Sequence, residues 1–471
     1  MKNLCHLILL IILAAGSLSS CIEDGFTTSP SDQPTFSTDT LDMGVIFTEQ
    51  PSVTQRFVVY NRASKGLSIS DISLSGDNAS LFRLNVDGFS GTRFNDVEIR
   101  ANDSIFILVE TTLPPNGLQT PVDVKASLDF LTNGIKRSVV LSATGRDVER
   151  LRGKVFDTDA RLTAGRPYQI YDSLVVNPGV TLTIDPGAEL YFHDGSMMIV
   201  RGTLKAVGAP DAEINLAGDR TGNVAADISF DLMSRQWIGM FFTSTSRDNE
   251  LSYCHVRNTW QGVTVDGTLS EDGPVDLTMI NTRLRNSGGY ALETYHAAIN
   301  AYGCEIAEGA DGAVLLHGGK HRFSHCTLTN YYLFSALGGP ILQLGHLGID
   351  EDDDGSGLPY TRANIDNTII YGNGKDLSHG DLTGTSVYLR RCLLKSDGSD
   401  DDNFISCVWG EDPLYYTVRE EYIFDYRLRP ESPAIGAGDP ALTAPQAATD
   451  RYGLPRGSSP DLGAYVYQQP N

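Results

Sequence analysis

The chain is poor in the features that usually announce a chemistry. It has seven cysteines in 471 residues, and none form close-spaced pairs. That argues against a disulfide framework or a zinc ribbon, both of which need convergent ligands at short spacing. Basic residues are outnumbered, 36 Lys and Arg against 59 Asp and Glu, for a net charge of −23. Nucleic acid and anionic membrane surfaces are therefore poor partners. The apolar run from Leu7 to Ala15 is too short to span a bilayer. No Ser-His-Asp order, phosphate loop or dinucleotide fingerprint is legible.

What the chain does have is one strand pattern that keeps returning. An apolar residue is followed three positions later by Cys or Thr, and two after that by an aliphatic. The copies are Leu251/Cys254/Val256, Met279/Thr282/Leu284, Ala301/Cys304/Ile306, Phe323/Cys326/Leu328, Ile365/Thr368/Ile370 and Leu389/Cys392/Leu394. The steps between the small residues are 28, 22, 22, 42 and 24 positions. A period in the low twenties with strand chemistry in each unit marks a parallel solenoid. At about 3.3 Å per residue, such a turn holds three short strands and three bends, and the next turn stacks about 4.8 Å further along. Equivalent inward positions then touch their own copies, which favours small or aliphatic side chains.

This makes four of the cysteines (254, 304, 326, 392) rungs of a core ladder, small hydrophobes rather than ligands. Asn258, Asn286 and Asn330, four positions after the rung, are expected at left-handed bends, with amides able to bond along the axis. The leucine-rich alternative fails because its Leu-x-x-Leu-x-Leu pattern and helical returns are missing. Upstream, Asp172–Val176, Thr181–Ile184, Glu189–Phe192, Met197–Val200 and Thr203–Ala206 read as opening strands between Gly and Pro turns. Trp237–Phe242 is a further buried-strand candidate. The crossover rule makes the coil right-handed.

Residues 1–20 suit an export signal. Leu18-Ser19-Ser20-Cys21 resembles the lipobox of bacterial lipoproteins, which implies acylation of Cys21 after cleavage. Loss of Lys2 would leave −24 (−23 minus one) on the mature chain. Ile22-Glu23-Asp24 resembles the acidic export tag of Bacteroidetes surface lipoproteins, and residues 21–35 read as a flexible tether. Residues 36–147 carry short alternating strands such as Gln55–Tyr60, Ser104–Val109 and Val122–Leu128, the pattern of a β-sandwich. Leu41-Asp42-Met43-Gly44, Val58-Val59-Tyr60-Asn61, Leu67-Ser68-Ile69 and Leu141-Ser142-Ala143-Thr144-Gly145 resemble immunoglobulin-like domains of the ASH/HYDIN group, which implies a spacer or adhesion module. Residues 411–471, with Asp425-Tyr426-Arg427-Leu428, Ser432-Pro433-Ala434-Ile435-Gly436 and Asp461-Leu462-Gly463-Ala464-Tyr465, resemble the C-terminal segment of bacterial right-handed β-helix proteins. That segment is expected to cover an open solenoid end, with Asp439 and Asp461 as turn acceptors. The whole is read as all-β: an Ig-like β-sandwich, a right-handed parallel β-helix over 151–410, and a C-terminal cap.

Chemistry has few places to sit. The 42-residue step contains Asp350-Glu351-Asp352-Asp353-Asp354-Gly355, and Asp350, Asp352 and Asp354 match the first half of a calcium loop. The twelfth position is Thr361 rather than Glu, so the shell is incomplete. Asp397 and Asp400–Asp402 form a second acidic bend. Arg362, Arg390 and Arg391 are placed to approach the first loop. Trp260, Tyr331 and Tyr332 are candidates for stacking on sugar rings, against ordinary packing. His317-Gly318-Gly319 reads as a turn, and His296, His321 and His325 as outward or bend positions. Two readings stay open. One is a non-enzymatic envelope protein, anchored in the outer membrane and facing the cell surface, whose β-helix presents a face to glycans, host matrix or neighbouring envelope proteins. The other is a calcium-assisted polysaccharide lyase or glycoside hydrolase on that face.

Overall fold

A computed structural model describes residues 25–225, 228–267, 273–348 and 358–469. Cys21 and the acidic loop with Asp350, Asp352 and Asp354 lie outside the described residues. The chain divides into two compact units that meet between Asp147 and Val148. Among the described residues helix is confined to single 3-10 turns, and everything else regular is strand.

The first unit is an Ig-like sandwich of two five-stranded sheets. Alternation sets its core: from Val139 to Gly145 every second residue is buried, Leu67, Ile69 and Ile72 are buried on Leu67–Ser75, and Ile69, Ile72, Leu128, Val139 and Leu141 meet Phe57 and Phe130 between the sheets. A left-handed pair, Asn133 and Gly134, turns Val122–Thr132 back into Ile135–Arg146. One pairing departs from an antiparallel sandwich, since Thr40–Phe47 runs parallel to Ile135–Arg146. The tether reading ends early. Phe26 bridges Gly66, and Asn133 Nδ2 donates to the carbonyls of Ser29 and Asp32, so residues 26–35 are laid onto the sandwich.

The second unit is a parallel β-helix in which one 26-stranded sheet coils on itself. Each turn contributes to three faces. Sheet A stacks Met197–Val200, Gly239–Phe242, Val263–Asp266, the first half of Tyr290–Tyr302, the first half of Gly312–Ser324, and Leu342–Gly345. Sheet B stacks Thr203–Val207, Asn249–Ser252, Leu277–Ile280, the second halves of the same two long strands, Arg362–Asp366 and Val387–Arg390. Sheet C stacks Ile214–Gly218, Cys254–Arg257, Arg283–Arg285, Glu305–Ala307, Thr327–Asn330, Ile369–Gly372 and Leu393–Leu394.

The Cys/Thr rungs open sheet C, and all six are buried. In Cys254, Thr282, Cys326 and Cys392 the polar hydrogen points back along the axis, whereas Cys304 and Thr368 bond the carbonyl two residues earlier in their own turn. Thr282 Oγ1 donates to Leu251 O at 2.8 Å, Cys326 Sγ to Ala301 O at 3.5 Å, and Cys392 Sγ to Ile365 O at 3.2 Å. In each case the acceptor is the carbonyl three residues before the preceding rung. Cys407 extends the ladder, with Sγ donating to Leu389 O at 3.4 Å. All five of these cysteines are free thiols.

A sharp left-handed bend sits one residue before each rung, in addition to the expected one four after it, which is present at Asn258 and Asn286. Tyr253, Asn281, Gly303, His325, Asn367, Arg391 and Ser406 all have φ between 48° and 63°, except Asn281 at 47°. One residue in that conformation turns sheet B into sheet C. Asn258 and Asn286 are also left-handed, but Asn330 is not, and Glu308 takes the position in the intervening turn. Their amides bond to backbone carbonyls of neighbouring loops, as Asn286 Nδ2 does to Asp231 O at 2.9 Å, rather than to one another.

The C-terminal segment, expected to cover an open end, packs along the flank of the coil. Tyr415, Tyr426, Leu428, Ala434, Leu462 and Tyr465 form a second core with Ala307, Ile369 and Leu393, the outward residues of sheet C. Ile369 and Leu393 would otherwise face water, and burying each stabilises by about 1.5–3 kcal/mol. Asp461 accepts from the Gly436 and Tyr467 amides and Asp439 from Ala441, so both carboxylates hold turns.

Candidate functional site

With sheet C covered, sheet B carries the concentrated charge of the coil. Strand alternation sends residues two, four and six before each rung outward. Four before the rung lies a column of Thr278, Asn300, Arg322, Asn364 and Tyr388, paired in register. Six before it, Ala298, Lys320 and Arg362 follow one another. Lys320, Arg322, Arg362 and Asn364 are exposed. Neighbouring rungs are about 4.8 Å apart, so the face is a grid of donors and cationic groups at that spacing.

A groove of about 420 Å³ runs over this grid, lined by Ala298, Asn300, Tyr302, Lys320, Arg322, Asn364 and Arg390 and flanked by Gly273 and Val275. A narrower recess continues it toward His296, Pro359, Tyr360 and Arg362, sharing Gly273, Ala298 and Lys320. Arg390 makes a two-pronged bond to Asp366, 2.7 and 2.9 Å, and is thereby neutralised. Lys320 and Arg322 form no ion pair among the described residues. The Arg322 guanidinium lies 6.0 Å from the Tyr302 ring centre, within reach of a cation–π contact. Burial raises the Tyr302 phenol, with Arg322 pulling the other way. Burial likewise pushes the Asp366 carboxyl up against the pull of Arg390 and Arg322. The groove thus offers positive charge, amide donors and an aromatic edge, a set that holds anionic and hydroxyl groups in place.

The residues singled out from sequence do not gather here. Trp260 is 54 % exposed with Arg235 over its ring at 5.3 Å, at the corner from sheet C to sheet A. Tyr331 stacks on Tyr426 at 6.1 Å beneath the C-terminal segment. Tyr332 is buried, and its hydroxyl shares a hydrogen with Ser234 Oγ at 2.6 Å. Neither tyrosine offers an open face to a sugar. In the second acidic bend, Asp400 accepts from the Ser406 and Cys407 amides and Trp409 Nε1, and Asp401 from the Asn403 and Phe404 amides. Those carboxylates close a turn.

His321 and His325 are also not outward. Register puts His321 between Ile299 and Ala363, inside the coil, where Nε2 bonds Gly318 O at 2.9 Å and burial lowers its pKa to about 4. His325 is buried at a left-handed bend against Thr443 Oγ1 and Asp461 O. Arg362 and Arg390 were named in the sequence for another purpose, while Lys320, Arg322, Asn300 and Asn364 were missed. Aligning the repeats on the rung would have found all of them.

Comparisons with known proteins place no family on the chain. No family model matches it, and none of the curated proteins matches it in sequence. Solved structures do match parts of it. One is a protein of unknown function from Porphyromonas gingivalis W83, 13% identical, covering 27% of this chain and 50% of that one, with a TM-score of 0.19. A second is a family 123 glycoside hydrolase from Clostridium perfringens, 9% identical, covering 28% and 30%, TM-score 0.20. A third is the ASH/PapD-like domain 7 of human CEP192, 11% identical, covering 26% and 91%, TM-score 0.18. The chain spans half or less of the length of the first two. The all-β architecture, with an Ig-like domain and a parallel β-helix, stands on the sheets themselves.

Proposed function

We propose that the β-helix is a non-catalytic binding module for an anionic polysaccharide, one bearing uronate or sulfate groups, seated along sheet B. The observation that carries this is the exposed pair Lys320 and Arg322, two positions apart on one strand and in no ion pair among the described residues, on a chain of net charge −23. An acidic protein gains nothing in fold from setting two such cations side by side on one face, and repulsion between them costs stability. A bound polyanion offsets that cost. Asn300 and Asn364 between the cations supply donors for hydroxyl and carboxylate oxygens. In this reading the Ig-like sandwich is a spacer, and acylated Cys21 holds the protein in the outer membrane with the coil at the cell surface.

The test is a glycan array run in parallel for binding and for product release, with and without calcium. Uronate-rich and sulfated chains are expected to bind, neutral chains not, and no new reducing or unsaturated ends to form. Equal binding of neutral glycans would remove the basis of the reading. Product release would transfer the face to the lyase or hydrolase reading, and a calcium requirement would bring in the loop of Asp350, Asp352 and Asp354. Anchoring is tested separately by metabolic acyl labelling, which Cys21→Ala should abolish.

A further inference from the structure

A cleft of about 460 Å³ lies within the C-terminal segment, walled by Tyr416, Arg427, Leu428, Tyr452, Tyr467 and Gln468. Three stretches build it. Tyr415 bridges Leu428 in an antiparallel ladder, and the Tyr416 amide donates to Arg427 O at 3.2 Å. Strand alternation buries Tyr415, Tyr426 and Leu428 against sheet C and turns Tyr416, Asp425 and Arg427 the other way. Two buried carboxylates fix the remaining walls. Asp450 accepts from the amides of Tyr452 at 2.8 Å, Leu454 at 3.0 Å and Val466 at 3.1 Å, and Asp461 accepts from the Tyr467 amide at 2.7 Å. The cleft is therefore shaped by the fold before any ligand arrives.

We infer that this cleft binds one uncharged sugar ring. Its aromatic surface is open to solvent. Tyr416 is 39 % exposed and Tyr452 is 53 % exposed. Tyr452 keeps that exposure although the Tyr465 ring centre lies 5.9 Å from its own and the Arg451 guanidinium 5.7 Å away. A tyrosine offers an apolar face to the C–H face of a pyranose and a phenol to one of its hydroxyls. Beside Tyr416, Arg427 Nη2 donates to Asp425 Oδ2 at 2.6 Å and Nε at 3.0 Å, and the guanidinium remains largely exposed. The two side chains together present donors and acceptors next to each other, which matches a pair of neighbouring hydroxyls.

Charge separates this site from the groove on sheet B. Among the described residues that wall the cleft Arg427 alone is ionised, and Asp425 already answers it. An incoming carboxylate or sulfate would meet Asp425 as closely as Arg427. Asp450 and Asp461 are engaged by backbone amides, and Arg451 is turned to Glu213. A purely apolar ligand would leave the Asp425–Arg427 fork and Gln468 without partners, which costs affinity. A neutral polyol satisfies them and covers the rings. The volume also falls within the range of about 300–1,000 Å³ common for small-molecule sites. A single ring of ordinary ligand efficiency binds at about millimolar strength. Washing clears such a ligand from an array, so a solution measurement is needed.

The experiment uses the chain from residue 22 onward and saturation-transfer NMR, titrating the methyl glycosides of glucose, galactose, mannose and N-acetylglucosamine into the millimolar range. The methyl glycoside of galacturonate is the charged control. Saturable binding of at least one neutral glycoside is expected, with the galacturonate clearly weaker. Tyr416→Ala and Tyr452→Ala should each weaken that binding about tenfold, and Arg427→Ala about fivefold. Tyr452→Phe keeps the ring and should stay within about threefold of the unaltered chain. Tyr416 and Tyr452 are exposed, so these variants fold, and a melting curve for each checks it. Lys320→Glu with Arg322→Glu alters sheet B and should leave sugar binding here unchanged, whatever becomes of polyanion binding there. No saturable binding by any of the four neutral glycosides would overturn the inference. So would affinity retained when Tyr416→Ala and Tyr452→Ala are combined, equal binding of the galacturonate, or loss of binding in the sheet B pair.

Discussion

The Tyr426 hydroxyl donates to the Glu308 carboxylate, joining the C-terminal segment to sheet C through a contact in which both residues are buried. The Tyr331 amide donates to both oxygens of the same carboxylate at 3.2 and 3.3 Å. Burial outweighs these donors and the nearby Arg285, and neighbouring Glu305 adds repulsion, so the Glu308 pKa is pushed up to about 7. A folded-state value above the unfolded one means the fold binds this proton more tightly. The resulting stability is full below about pH 4.5 and is lost as pH rises through about 7. His321, lowered to about 4 by burial, and His325, lowered to about 2 for the same reason, work the other way, losing stability as pH falls below their ordinary range. Glu308→Gln should remove the first component. The difference in unfolding free energy between unaltered protein and variant should change by about 2–3 kcal/mol between pH 5 and pH 8, with the variant gaining at pH 8. Denaturant titrations at the two pH values measure it, and parallel pH slopes for both proteins would sink the assignment.

The ladder makes a prediction about thiols. Cys254, Cys304, Cys326 and Cys392 are fully buried, whereas Cys407 is partly exposed. Burial raises the thiols of Cys254, Cys304 and Cys392, while the Cys392 sulfhydryl beside Cys407 lowers that of Cys407. In the chain lacking Cys21, one thiol should react quickly with Ellman's reagent and four more only on unfolding. Cys407→Ser should abolish the fast phase. Cys326→Thr should cost under about 1.5 kcal/mol, because Thr282 and Thr368 already fill equivalent rungs, and Cys326→Leu should cost about 1–3 kcal/mol from overpacking. Thermal melts rank the two.

The ladder was legible because it is a local pattern reinforced by stacking. A small residue with aliphatic flanks is readable at six positions, and the opening strands from Thr181 to Val207 follow the same turn signals. Cys407 escaped because its step from Cys392 is only 15 residues (407 minus 392), too short for the period. The bend before the rung escaped because Tyr253, His325 and Arg391 are not left-handed formers by type, and their conformation is imposed by the two sheets they join. The inward turn of His321 and the docking of the C-terminal segment on Ile369 and Leu393 depend on register and on contacts between residues far apart in the chain. The basic face of sheet B lay in between. Its residues recur at fixed offsets from the rung, but single cations 42 positions apart, as Lys320 and Arg362 are, form no local motif.

Asn367 tests the imposed bend. Its φ is 49°, its Nδ2 bonds His325 Nε2 at 3.0 Å and donates to Asp439 O at 2.9 Å, and its Oδ1 accepts from the Asp439 amide at 2.9 Å. Asn367→Ala keeps the backbone strain of a left-handed residue and removes every one of these bonds. A loss of about 2–4 kcal/mol is expected. Asn367→Gly relieves the strain and should recover roughly 1 kcal/mol of it. If the alanine and glycine variants melt together, backbone conformation is not what this residue contributes.

The groove is best probed at its unpaired cations. Lys320→Ala and Arg322→Ala touch no ion pair among the described residues and should leave the melting temperature within about 2 °C, since exposed substitutions usually stay within about 0.5 kcal/mol. Each should weaken binding of a uronate or sulfate polymer several-fold and lower the steepness of log affinity against log salt by about one, the release of one counterion. Arg390→Ala is a different experiment, because it strands the buried Asp366 carboxylate and should cost about 3 kcal/mol of stability. A fall in affinity there confounds binding with folding. The pair Lys320→Glu with Arg322→Glu reverses the local field without touching Asp366, and should abolish polyanion binding at physiological salt. Undiminished binding in that double variant would move the ligand off sheet B.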